Sequence, residues 1–179
     1  MDAAAVLQFW FDGAGEERWW AKDAAFDSVI AERFGALHAR AAAGELWHWR
    51  TTAQGRLAEI IVLDQFSRNI FRGRAQSFAQ DRSALILAQE AVYGSHDLGL
   101  PVAHRMFMYM PFMHSESAPI HAEALRLFAL PGMADNLEYE HQHKAIIDRF
   151  GRYPHRNAIL GRESTIEELA FLQLPGSDF

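Results

Sequence analysis

Apolar residues return every three or four positions along most of the chain, and nowhere do they alternate with the period of a half-buried strand. Residues 23–43 place Phe26, Ile30, Phe34, Leu37 and Ala41 on one helical face, with Gly44 as the expected stop. "TTAQGRLAEIIVLDQF" (51–66) opens with Thr51 and Gln54 in capping-box spacing and carries its stripe through Leu57, Ile60, Ile61 and Asp64. A helix is expected over 78–94, ending at Gly94. Another is opened by Pro101 and ended or kinked by Pro111, which has no backbone donor. Helices over 117–129 and 133–150 flank "LPG". The last helix is expected to start at Ser164, with Glu167 three residues on as a second capping box.

This pattern predicts an all-α fold of about seven or more helices. Short connections make neighbours antiparallel, packed as hairpins in a single domain over residues 1–179. No fixed repeat period is visible in the letters, so any solenoid is degenerate.

Composition narrows the classes. Half of the 179 residues are apolar, including 13 Phe and 5 Trp, which is enough for a sizeable core and excludes a disordered chain. Cysteine is absent, so disulfides, thiolate metal sites and cysteine nucleophiles are excluded. The longest apolar run, "MFMYMPFM" (106–113), falls short of the roughly 18 residues a membrane span needs. The first residues lack the basic leader of a signal peptide, so the expected location is cytoplasmic, with no membrane partner.

The net charge of −6 argues against nucleic acid as a partner. The distribution is uneven, however. From His141 to Arg162 there are Lys144, Arg149, Arg152, Arg156 and Arg162 against Asp148 alone, a local positive field suited to a small anionic molecule or a peptide carboxylate.

Candidate chemistry lies in four stretches. In "LDQFSRNIFRG" (63–73), Asp64 with Arg68 and Gln65 with Asn69 are four apart. They form either a structural ion-pair and amide network or, through Arg68 and Asn69, donors to a ligand. In "HSESAPIH" (114–121), Ser115 or Ser117 can cap the next helix beside Glu116, or His114 and Glu116 can form an acid–base pair. "EYEHQHK" (138–144) holds two Glu-x-x-His pairs that point about 200° apart on a helix. They cannot serve one metal and are expected on a solvated or partly buried face. In "FGRYPHRNAILGR" (150–162), Tyr153-Pro154 forces an extended or turn conformation, so His155, Arg156 and Asn157 lie on a rigid connector. Its arginines serve as docking bolts for the last helix or as an anion cradle. No nucleophile elbow, phosphate loop or zinc helix is present, and neither a metal nor a cofactor is implied.

"FWF" at 9–11, "LDQFSRNIFRG", "FMYMPFMHSE" and "FGRYPHRNAILGRESTIEELAFL", in this order, resemble the bacterial domain-of-unknown-function family numbered nine hundred and twenty-four. The resemblance runs from about Val6 to Leu172 and implies a tetratricopeptide-like helical fold, with no established activity. The positions it carries over are Asp64, Gln65, Ser67, Arg68, Asn69, Arg105, His114, Ser115, Glu116, His155, Arg156, Asn157, Arg162, Ser164 and Glu168. His121 stands where relatives often have Gln.

The leading expectation is a helical binding module whose concave surface gathers a cationic pocket from Arg68, Asn69, Arg105, His114, Glu116, His155, Arg156, Asn157 and Arg162. An enzyme acting on an anionic substrate through His/Glu acid–base chemistry is the second reading. A polar network that only specifies the fold is the third.

Overall fold

The computed structural model describes residues 1–177. Among these the fold is all-α, without strands. The helices are α1 (Ala3–Leu7), α2 (Glu16–Trp19), α3 (Ala24–Ala42), α4 (Ala53–Ile61), α5 (Ser67–Ile70), α6 (Asp81–Tyr93), α7 (Val102–Met113), α8 (Ala118–Phe128), α9 (Ala134–Phe150) and α10 (Ile166–Phe171). A π-helical turn, Val62–Phe66, joins α4 to α5 as one rod. A second π turn, Gln8–Gly13, extends α1.

The α4–α5 rod is the centre of the molecule. Every residue from Leu57 to Ser67 is buried, which requires apolar side chains on all faces, and "LAEIIVLDQFS" supplies them. Its polar members must then be satisfied internally. Glu59 receives a two-pronged bond from Arg50, at 2.7 Å on each oxygen. Ser67 donates to the Leu63 carbonyl and is itself met by His38 Nε2 at 2.7 Å.

Helices α1, α6 and α7 pack on α4, while α3 covers α5 and the π turn. From α6 to α9 each helix packs on the next across a short connector, which is the expected hairpin arrangement. Aromatic rings fill the space between the N-terminal helices and α7. Trp10, for example, meets Phe107 edge-on at 5.4 Å and 82°.

Both helix caps lie one residue beyond their expected places, and only the second forms a capping box. Thr52, not Thr51, caps α4 by accepting from the Gly55 amide. Thr165, not Ser164, caps α10 in a reciprocal box with Glu168. In each case two hydroxyl residues adjoin, and the second of them, in extended geometry, takes the cap. Pro111 does not end its helix, since α7 continues to Met113 around it.

Helix α9 ends at Gly151, whose left-handed backbone (φ 69°) turns the chain into Tyr153-Pro154 and a short 3₁₀ turn, Pro154–Arg156. Ile146, Ile147 and Tyr153, flanked by Phe150 and Phe171, make a small satellite core beneath this segment. That core sets "RYPHRN" against the loop after α7.

Candidate functional site

The polar residues at the end of the central rod meet those of the α7–α8 loop. Asp64 is fully buried, and its Oδ1 lies 2.8 Å from His114 Nδ1 and 3.1 Å from Arg68. Its Oδ2 accepts from Gln65 at 2.7 Å. Burial opposes ionisation of Asp64, but the Arg68 charge, with His114 and Gln65, outweighs it and holds the carboxyl well below the usual carboxylate range. For His114, burial and then the nearby Arg68 charge push the imidazole down despite Asp64, so the neutral ring dominates at pH 7.

Arg68 reaches on to Asp81, at the start of α6, with both terminal nitrogens (3.0 and 3.1 Å). Arg156 touches the same carboxylate at 3.2 Å and donates to the His114 carbonyl at 3.1 Å. Its guanidinium lies between the rings of Phe78 and Tyr153, 4.6 Å from each centroid. The Nε of this buried arginine has no hydrogen-bond partner among the described residues. Burial, and then Arg68, lower its affinity for its proton relative to a free guanidinium.

The neighbouring arginines are differently placed. Arg162 forms a two-pronged pair with Glu116, at 2.6 and 2.8 Å, and also donates to the Tyr153 carbonyl. Glu116 accepts in addition from the Tyr153 amide at 2.7 Å. Burial opposes its ionisation, but Arg162 and that amide win and keep it low. Arg152 binds Glu168 on both oxygens, and Arg149 binds Glu167. The Arg152 bonds, helped by the Thr165 amide, bring Glu168 down to about 2.

His121 and Glu140 form a second, closed network. Both are fully buried, with Nδ1 2.6 Å from the Glu140 carboxyl and Nε2 2.7 Å from the Ser115 carbonyl. A carbonyl only accepts, so Nε2 carries hydrogen. Burial pushes the Glu140 carboxyl up, and its contact with His121 pins α8 to α9.

A cavity of about 420 Å³ opens beside the first cluster, lined among others by Phe78, Asp81, Arg82, His114, Glu116, Ser117 and Arg156. That size suits a small ligand. Arg82 stands exposed at its rim and has no ion-pair partner among the described residues. A second cavity, of about 550 Å³, lies between α1 and the start of α4. It is the larger one, but Asp12 and His104 are its only ionisable lining residues beside the neutral Gln8, Thr52 and Gln54, and it holds no arginine, so the smaller cavity is the better candidate for an anion.

Of the nine candidate residues, His114, Glu116 and Arg156 line the smaller cavity, with Arg68 directly behind it and Arg162 held by Glu116. Asn69 does not join them. It bonds Asp27, as does Arg72, and the expected Gln65–Asn69 pair does not form. Arg105 sits one helix length from His114, in the first turn of α7. Asn157 is buried and donates to Ser164 Oγ, serving the last helix. His155 lies against the Tyr153 ring. The expected His114–Glu116 pair is split, because His114 turns to Asp64 and Glu116 to Arg162. The "EYEHQHK" stretch is partly buried, the second of the two expected alternatives. Glu138 and His141 are exposed, but Glu140 and His143 are buried, and burial drives His143 down to about 3.

Asp81, Arg82 and Phe78 were not singled out by the sequence. Asp81 opens a helix, where an acid needs no further reason, and Phe78 and Arg82 sit in a stretch without a motif.

Among the described residues no group of three or more His, Asp or Glu side chains has metal-binding geometry, and no helix is long and apolar enough to cross a membrane. No curated protein matches the chain. A solved structure of a protein of unknown function from Agrobacterium tumefaciens is similar at 41% sequence identity, covering 96% of each chain, with a TM-score of 0.91. Residues 6–176 match the family described as "Bacterial protein of unknown function (DUF924)". Match and motifs run over nearly the same span, and the chain belongs to this family.

Proposed function

We propose that this protein is a helical binding module, and that the cavity between α6 and the α7–α8 loop takes a small carboxylate-bearing molecule or the carboxylate end of a peptide. The observation that carries this reading is the unequal share of charge. Arg68 and Arg156 draw on one carboxylate, Asp81, while Arg82 has no counter-charge among the described residues. Asp64 offsets Arg68, and with His114 neutral one guanidinium's worth of positive charge faces the cavity. A ligand carboxylate would supply the missing partner, and guanidinium suits it through parallel N–H donors. Arg156 is already immobilised between two rings, so little ordering cost remains on binding. The tetratricopeptide-like stacking of α6–α9, one domain over 1–179 and a cytoplasmic setting belong to the same reading.

The test is a titration with succinate, and separately with inorganic phosphate, at low and constant ionic strength, following the His114 ring and Arg82 side-chain resonances. Saturable shifts with succinate, absent with equal chloride and lost in Arg82→Ala, are expected. A stronger response to phosphate would reassign the ligand class. Linear, unsaturable shifts would remove the reading.

A further inference from the structure

The ring of His114 is held in a way that anion binding alone does not require. Asp64 is ionised and fully buried, with Gln65 and Arg68 fixing it, and it faces Nδ1 at 2.8 Å. A carboxylate can only accept there, so Nδ1 carries the hydrogen and the free lone pair lies on Nε2. Nε2 has no hydrogen-bond partner among the described residues. It is not closed off from solvent either, and the residue lines the cavity. The backbone is tied as well, since the His114 carbonyl accepts from Arg156 and its amide donates to the Met110 carbonyl. A purely structural histidine usually has both ring nitrogens bonded, as His121 does on the next helix. His114 is therefore a neutral base of fixed tautomer, pointed at an open space beside an uncompensated positive charge.

We infer that the cavity is a hydrolytic site in which His114 Nε2 is the general base, acting on an ester of a small carboxylic acid. This rests on the cavity's accepting a carboxylate, as proposed above. Nε2 takes one proton from a water molecule as its oxygen forms a bond to the ester carbonyl carbon. The C–O bond to the alcohol then breaks, and the leaving oxygen takes that proton back from Nε2. One ester and one water give one acid and one alcohol, with the ring returned to its starting state. Asp64 is a positioning residue that keeps the hydrogen on Nδ1 and stabilises the imidazolium while it exists. Arg82 and Arg156 hold the substrate's free carboxylate.

The experiment uses the full chain with mono-4-nitrophenyl succinate as the probe, which carries an activated ester and a free carboxylate, and follows nitrophenolate release. Hydrolysis above the buffer rate is expected. His114→Gln should bring it within about twofold of buffer, a loss on the order of 10²-fold. Asp64→Asn should lower kcat at least about tenfold while KM changes by less than about threefold, a split that a loosened fold would not give. Circular dichroism checks that each variant is folded. Should Asp64→Asn fail to fold, the uncharged probe 4-nitrophenyl acetate replaces it as the second measurement. Its KM on the wild type should rise at least about tenfold relative to the succinate ester. An unchanged rate in folded His114→Gln overturns the inference. So does a wild-type rate equal to buffer in protein that still binds succinate, in which case the binding reading survives alone. Absence of both binding and hydrolysis removes the two together.

Discussion

Two sets of arginines lie within one polar region, and they differ in whether each has a carboxylate of its own. Arg149, Arg152 and Arg162 each take both prongs or the nearest oxygen of a separate acid, Glu167, Glu168 and Glu116. Each of those pairs spans the connector between α9 and α10 or links it to the α7–α8 loop. Arg156 and Arg82 stand on the cavity side with, respectively, a shared carboxylate and none among the described residues. Arg156 lies only four to seven positions from Arg152, Arg162 and Arg149, yet does different work. A guanidinium with its own acid fastens one segment to another, and a guanidinium without one holds charge in reserve. Of the two alternatives open from the sequence, docking bolts describes Arg149, Arg152 and Arg162, and the anion cradle is the reading proposed above for the cavity side.

The largest effect should come from the fastened side. Arg162→Ala leaves Glu116 half-buried without its fork, and we expect a loss of about 2–3 kcal/mol in urea unfolding, less than for a fully buried pair. A midpoint unchanged from the wild type would erase the distinction between the two sets. Next, Thr165→Ala removes the hydroxyl that meets the Glu168 amide and should cost about 1 kcal/mol. Because Glu168 also receives Arg152, the same change should make the Arg152 resonances more mobile, whereas those of Arg156 should stay as they are.

Mild acid separates the sets by pH. The folded-state pKa of His114 lies below the ordinary value of 6.5, so the unfolded chain takes up this proton first. The stability associated with the neutral ring is therefore complete above about pH 6.5 and is lost as pH falls below it. Glu116 is likewise held below its ordinary 4.5, so its contribution persists through that range and is lost only in stronger acid, as pH falls through its folded value. Carbon-resolved titration of the His114 ring should show it neutral at pH 6.5, and a ring already half-charged there would contradict this order. The smallest effect belongs to Arg82→Ala. Exposed and unpaired among the described residues, it should change stability by no more than about 0.5 kcal/mol while abolishing succinate binding.

Helix content and the order of the helices follow from apolar spacing, and the spans over 24–42, 81–93 and 134–150 lie close to the expected ones. The caps were displaced by one residue because two adjacent hydroxyls offer the same chemistry and only backbone geometry chooses between them. The Asp64–Arg68 pair was legible because four residues on a helix bring side chains together. The Asp64–His114 contact was not, since 50 positions separate them and no local rule links them. The same holds for Asp81, which compensates Arg68 and Arg156 from 13 and 75 positions away. Motifs marked where polar residues gather, but the partner of each was decided by packing. Which of the two Glu-x-x-His pairs is buried was not legible for a related reason. Two faces of α9 carry the same Glu-x-x-His spacing, and only the position of α8 tells which one is inside.

The π turn at Val62–Phe66 has a consequence in terms of chain length. A π turn holds one more residue than an α turn of the same axial rise, so it behaves like a single-residue insertion in an otherwise regular rod. Each residue of an α-helix advances the side chains by about 100°. The wide turn closes over the same angle with one residue more, so it absorbs its extra residue and leaves α5 in phase with α4. Deleting one apolar residue within the turn should therefore relax it to an ordinary α turn with Arg68 still facing Asp81 and Ser67 still facing His38, whereas one residue deleted from the regular turns of α4 would rotate the two parts of the rod against each other by about 100°. The rod tolerates a change in the count of letters only where its turn is already wide.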